Sequence, residues 1–249
     1  MSGIIQLTLL LLVLGVLSLL PFFERFSKNA PHRMAAVKQL EESMPPELLD
    51  EDAEWFQAWK ASGYDQEVYM PYFKQLDNKT GTGIRECFSS SAAMVASFYR
   101  RVKSDDEYNK IRAKFGDTTS VEAQLAALRS LGLEAEFRKD GNAEMVELEI
   151  ENGRPVMVAY LSEGNMLLGE PPMCNGLGCG HWAVISGFSQ KNSQDPLWIL
   201  QDPRGYPEME KGGWSNPHLG RNVKVRQAAF KPRWEAEGDG TGWVILVNE

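Results

Sequence analysis

Cys87 heads the run RECFSSSAAMVASFYRR, residues 85–101. A thiolate placed at a helix N-terminus is stabilised by the macrodipole and by unpaired N–H groups, and a neighbouring imidazolium lowers its pKa further. His181 opens HWAVISGF, an apolar strand, and Asp202 closes the next apolar strand, LWILQD, just before the turn PRG. If these two strands pair as a simple hairpin across SQKNSQDP, the start of the first lies beside the end of the second. That pairing puts His181 next to Asp202, where a carboxylate can hold the imidazole tautomer and stabilise its charged form. A single Cys with a distant His and an acid is the arrangement of nucleophilic acyl transfer. Gln75 in YFKQLDN precedes Cys87 across a Gly-containing loop, and its amide is placed to complete an oxyanion hole with the Cys87 N–H.

Each of these residues also has a plainer reading. Free cysteine is often buried for its size alone, a histidine at a strand end is often bonded to backbone, and a glutamine in an extended segment is usually surface polarity. Taken singly they decide nothing; together they favour chemistry. His32, in a linker, and His218, in a Pro/Gly/Asn-rich loop, read as solvated histidines.

The elements that must position these groups follow from periodicity. Ala92 to Tyr99 form a strongly apolar helix ended by Arg100, Arg101 and Lys103. DDEYNKIRAKF and TSVEAQLAALRSLG are two more helical stretches, the second with Ser120 as N-cap and Gly132 as its stop. After Gly132 the period becomes two: LEAEFRK, RPVMVAYL, HWAVISGF, LWILQDP and GWVILVN read as strands. Helices first and a mostly antiparallel sheet afterwards define an α+β fold in two segregated layers, with the Cys87 helix packed on the sheet.

Composition limits the partners. The chain has 249 residues, 43% of them hydrophobic, enough for one core of ordinary size, and its net charge of −8 argues against nucleic-acid phosphates or anionic lipid heads. CNGLGCG follows no clear strand and lacks a Lys-Ser/Thr ending, so it is no phosphate loop and no cofactor is expected. Residues Ile4 to Phe23 carry no charge and as a helix would reach roughly 30 Å, the thickness of a hydrocarbon core. With no basic start and no small-x-small cleavage site, the segment reads as an uncleaved membrane anchor more than as a signal peptide. Arg25, Lys28, Arg33 and Lys38 follow it and lean toward a cytoplasmic domain, though the side of the membrane stays open. The resulting division is an N-terminal anchor or signal-like segment over 1–23, an acidic helical linker over 24–66 and a catalytic domain over 67–249. In the linker, Trp55, Phe56 and Trp59 make one narrow apolar helical face.

Cys174 and Cys179 admit two assignments. In an oxidising space they form a small disulfide bracing the loop before His181, leaving Cys87 as the odd free thiol; in a reducing one they are two quiet thiols. With Cys87 and His181 they also supply a Cys₃His set for zinc, the basis of a rival reading as a structural or interaction module, although the spacing is loose for such a site and no metal is expected. A third reading keeps the fold but only binds peptide, without turnover.

The order VYMPYFKQLDN, ECFSSSAAMVASFY, GHWAVISGF, WILQDPRG resembles the papain-like cysteine peptidases, most closely the bacteriocin-leader (double-glycine) processing peptidases, family thirty-nine of that class, in stand-alone form. The resemblance covers residues 67 to 247. It implies a papain-like fold and hydrolysis of peptide bonds in a peptide or protein substrate. Cys87 would be the nucleophile, His181 the base and acid, Asp202 its orienter and Gln75 the oxyanion donor. Two departures stand out. Phe88 occupies the place where the family has Gly after the cysteine, and the loop LDNKTGTGIRE between Gln75 and Cys87 is expanded.

Overall fold

The computed structural model describes residues 66–80, 82–174, 180–189 and 194–249. The anchor segment, the acidic linker up to Asp65, the Trp55/Phe56/Trp59 face, His32 and Cys179 lie outside the described residues. Among the described residues no helix is long and apolar enough to cross a membrane.

The helix headed by the candidate cysteine, α1 (Cys87–Phe98), begins at Cys87 itself. It is followed by α2 (Asp105–Arg112) and α3 (Val121–Ser130). Ser104 and Ser120 cap these two by accepting hydrogen bonds from the Glu107 and Ala123 N–H groups, so the predicted Ser120 cap is present. All five strands read from the two-residue period are found: β2 (Glu134–Gly141), β3 (Val156–Leu161), β4 (Gly180–Ser189), β5 (Leu197–Gln201) and β9 (Gly242–Asn248). With β8 (Val223–Arg226) they form one sheet in the order β2-β9-β3-β4-β5-β8. A short β1 (Gln66–Glu67) pairs with the far end of β4, beyond β3. Every pairing is antiparallel. Strands β6 (Tyr206–Pro207) and β7 (Trp214–Asn216) make a separate ribbon.

Alternation along the central strands divides the core in two. Met157, Trp182, Val184, Ile245 and Val247 face the α1–α3 layer, where Ala92, Ala93, Met94 and Leu128 meet them. The intervening residues Val156, Val158, Ala183, Ile185 and Val244 face the opposite way, against α4 (Ala143–Glu151) and α5 (Gln227–Trp234). The sheet is therefore covered on both faces, and the expected two layers become three. The second helical layer is faint in sequence for physical reasons. Helix α4 buries only Val146, Glu147 and Ile150, and α5 carries Pro232 inside it, which removes a backbone donor.

Phe88, the departure beside Cys87, is a core residue. It is 1% exposed and stacks on Trp182 with ring centroids 4.0 Å apart and planes 8° from parallel. Its ring locks the first turn of α1 onto β4. Replacing Phe88 with alanine is expected to cost about 3–5 kcal/mol of stability, read as a shift in the denaturant midpoint.

Candidate active site

The β4–β5 hairpin does what its pattern implies. Val184 pairs with Gln201 and Ile185 with Leu200, so Asp202, one residue past β5, arrives beside the start of β4. The His181 Nε2 lies 2.9 Å from Asp202 Oδ1, and the two side chains are 3% and 0% exposed. Two more donors complete the carboxylate: the Tyr160 hydroxyl donates to Oδ2 at 2.6 Å and the Arg204 N–H to Oδ1 at 2.9 Å. The Asp202 backbone is fixed as well. Its N–H donates to the Gly220 carbonyl, and its carbonyl accepts from the Tyr72 hydroxyl at 2.9 Å. A Cβ on Gly220 would stand 2.0 Å from that carbonyl oxygen, so the close approach requires glycine.

With Nε2 committed to Asp202, Nδ1 is the ring nitrogen left for Cys87, and the thiol and the imidazole are hydrogen-bonded to each other. The Trp182 N–H also donates to the Cys87 sulfur. Burial pushes the thiol up, but the His181 charge, the bond to His181 and the Trp182 N–H outweigh it, and Cys87 sits below the ordinary thiol value. Burial likewise disfavours the charged imidazole, yet the Asp202 and Cys87 charges prevail and raise His181 to about 9. The two shifts favour a thiolate–imidazolium pair. As the first residue of α1, Cys87 has an N–H with no intrahelical acceptor.

Two aromatic side chains enclose the imidazole. Tyr160, directly opposite His181 in the β3–β4 register, meets it edge-on at 5.2 Å, and Trp214 on β7 does so at 4.8 Å. The Arg204 guanidinium in turn lies over the Trp214 ring, 4.7 Å from its centroid. Both Tyr160 and Trp214 escaped the sequence reading. A hydroxyl within the apolar run VMVAYL, one strand from the histidine, was the available signal for Tyr160; Trp214, in a Gly-rich loop, gave none.

Gln75 is 1% exposed and lies in a 3₁₀ turn, Gln75–Asp77, packed against α1, rather than in an extended segment. Its Nε2 donates to the Gly83 carbonyl at 2.8 Å, which leaves a second amide hydrogen on that nitrogen. Cys174 is disulfide-bonded, whereas Cys87 is free. A disulfide sulfur is not a thiolate ligand, so the Cys₃His zinc set is broken, and the described residues contain no metal-holding group of three or more His, Cys, Asp or Glu. His218 is exposed in a turn.

A cleft of about 520 Å³ opens at Cys87, walled by Trp182, Trp234 and Trp243, with Cys174 and Glu237 also on its lining. One wall is held by Arg233, 1% exposed, whose guanidinium donates to the carbonyls of Met209, Leu161, Glu163 and Gly164 at 2.6–3.1 Å. These bonds tie α5 to the loop after β3. They satisfy a buried cation with carbonyl dipoles.

A cysteine-headed helix packed on an antiparallel sheet, with a histidine opposite on a central strand, defines a papain-like cysteine peptidase. The family model described as papain-like cysteine protease AvrRpt2 matches residues 64–215, and the chain belongs to that family. The match spans Gln75, Cys87, His181 and Asp202. Solved structures with a similar fold include the peptidase domain of Streptococcus ComA, a bi-functional ABC transporter involved in a quorum-sensing pathway. It is 20% identical, with 66% of this chain and 90% of that one covered and a TM-score of 0.41. A C39-like peptidase from Bacillus anthracis is 15% identical, with 74% and 98% covered and a TM-score of 0.48. A double glycine motif protease from an AMS/PCAT transporter, solved with its leader peptide, is 17% identical, with 74% and 94% covered and a TM-score of 0.44. No curated protein matches the chain. The papain-like resemblance is thus borne out at the level of fold and enzyme class, and the matching family model is that of AvrRpt2.

Proposed function

We propose that this cysteine peptidase cuts peptide bonds through a Cys87–His181–Asp202 triad and an acyl-enzyme. The observation that carries the reading is the chain of contacts from the Cys87 thiol, at the cleft, through the imidazole to the buried Asp202 carboxylate. The Cys87 thiolate attacks the carbonyl carbon of the scissile bond. The resulting oxyanion is held by the Cys87 N–H and the second amide hydrogen of Gln75. His181 Nδ1 gives its proton to the leaving amine as the C–N bond breaks, leaving a thioester. Neutral His181 then takes a proton from water, the hydroxide adds to the thioester, and loss of the C–S bond restores thiolate and imidazolium. Asp202 orients the ring and takes no part in the proton transfers. The substrate is a peptide or protein segment laid in the tryptophan-walled cleft.

Two features bear on location. The uncharged stretch Ile4 to Phe23 supports a single-pass N-terminal anchor on sequence grounds. The disulfide at Cys174 favours an oxidising space for the domain over the cytoplasm suggested by the basic residues after that stretch.

The test is alkylation by an electrophilic thiol probe under non-reducing conditions, followed by peptide mapping. A single labelled cysteine, Cys87, is expected, with a reaction rate that persists below the pH at which an ordinary thiol becomes inert. Cys87→Ser should remove the label. Labelling retained in that variant, or a rate that follows an unperturbed thiol, would sink the triad.

A further inference from the structure

The loop between Gln75 and Cys87 is organised around a buried carboxylate that the mechanism above does not use. Glu86, immediately before the nucleophile, is 1% exposed. Its Oε2 accepts from Asn78 Nδ2 at 2.8 Å and from the Thr80 hydroxyl at 2.7 Å, and its Oε1 accepts from the Thr82 hydroxyl at 2.9 Å. All three donors come from the loop itself, and no ion pair joins Glu86 to a cation among the described residues. Asn78 Nδ2 also reaches Ser90 Oγ in α1 at 3.2 Å, which binds the loop to the second turn of the helix. An unpaired buried carboxylate is costly unless fully hydrogen-bonded, so a merely structural loop would be better served by apolar residues.

The consequence of this network falls on Gln75. The loop leaves the turn Gln75–Asp77 and returns through a second 3₁₀ turn, Gly83–Arg85, to Glu86 and Cys87. The two turns touch closely: a Cβ on Gly83 would stand 2.1 Å from the Gln75 carbonyl oxygen, and the Gly83 carbonyl accepts the Gln75 side-chain amide. The position of that amide is therefore set by where the loop carries Gly83. Glu86 fixes the loop at Asn78, Thr80 and Thr82, which flank this contact.

We infer that Glu86 is a positioning residue that clamps the Gln75–Cys87 loop and so holds the Gln75 amide in the oxyanion hole. This rests on the assignment of Gln75 and Cys87 made above. It also gives the expanded loop a purpose: the longer connection carries the Asn and Thr donors, and Glu86 collects them. The clamp acts on the transition state, where the oxyanion exists, and not on the ground-state carbonyl or on the Cys87–His181 pair.

The experiment is a double-mutant cycle on peptide turnover by the full chain, with Glu86→Gln, Gln75→Ala and the pair. Glu86→Gln keeps size and one acceptor but turns an amide N–H₂ toward hydroxyl and amide donors. It is expected to lower kcat about 10- to 100-fold with KM nearly unchanged, as loss of oxyanion stabilisation does. In the Gln75→Ala background the same change should have little further effect. The pH profile of Cys87 alkylation should stay as in the wild type, because the thiolate–imidazolium pair is untouched. Thr82→Val, which removes one donor and retains the fold, should give a smaller loss of the same kind. A full, additive kcat loss in the Gln75→Ala background, a rise in KM at constant kcat, or an altered alkylation profile would each overturn the clamp. Failure of the triad is distinguishable, since Cys87→Ser would then retain turnover whatever the Glu86 variants do.

Discussion

Turnover in a His181→Ala variant is expected to fall by about 10³- to 10⁴-fold, with KM for a peptide substrate little changed. Two separate contributions vanish together. In the proposed mechanism, the acid that protonates the leaving amine and the base that activates water are the same imidazole. The imidazolium is also the counter-charge that holds Cys87 below its ordinary value against burial. Once it is gone, burial and the Asp202 charge both act to raise the thiol, and little beyond the Trp182 N–H opposes them. The variant should therefore show a second effect that loss of an acid–base group alone would not produce. The pH at which Cys87 is alkylated should move upward, beyond the ordinary thiol range. Stopped-time alkylation across pH, beside steady-state kinetics, reads both effects. An unchanged alkylation profile with turnover lost would show that the imidazole serves only as acid and base.

Much of this site is written in local patterns. A strand that begins with His181 and a strand that ends with Asp202 are joined by a short connection, and simple hairpin geometry brings them together without knowledge of the rest of the fold. Cys87 is legible because the helix it heads is apolar over most of its length, which fixes both the N-terminus and the face that packs. The groups that remained hidden act across the sheet. Tyr160 on β3 reaches Asp202 at the end of β5 across the intervening β4, and Trp214 covers His181 from the β6–β7 ribbon, whose two short strands have no periodicity to read. Phe88 illustrates a different limit. Its place beside Cys87 suggests a role in substrate fit, but its side chain leaves the first turn of α1 toward Trp182 and fills the core just beneath the cleft that both rings line. Position along the chain gives proximity to the reacting sulfur; the helical rotation between successive residues decides which side chain faces it.

The three-layer architecture was harder to read for a related reason. Helices α1 and α3 carry apolar residues over a broad face, whereas α4 is acidic with a narrow buried stripe and α5 depends on tertiary contacts: Phe230 and Trp234 against Trp198, and Arg233 against four carbonyls. Such helices are held by what they pack on more than by their own pattern. Their layer nevertheless matters to the site, because Arg233 and Trp234 line the same cleft as Cys87.

Asp202→Asn tests how much of the site's electrostatics comes from one carboxylate. Burial alone would push His181 below its ordinary value of 6.5; the Asp202 charge is the foremost opposing influence, and together with Cys87 it raises the imidazole to about 9. A raised histidine contributes stability that is fully present below 6.5 and is lost as pH rises through about 9. The wild type should therefore lose both stability and activity across that window, the activity because His181 no longer carries the proton owed to the leaving amine. Asparagine keeps the shape of the side chain but removes the charge, so the alkaline limb of kcat/KM should move to lower pH and the pH dependence of the denaturant midpoint between 6.5 and 9 should flatten. At neutral pH, kcat is expected to fall about 10- to 100-fold, less than for His181→Ala, because the imidazole remains and Cys87 still supplies a partner charge. Tyr160 and the Arg204 N–H, which now donate to the carboxylate, retain only one carbonyl oxygen to share with the ring. If the alkaline limb stays near 9 in Asp202→Asn, the imidazolium is held by the thiolate alone and Asp202 serves only to orient the ring.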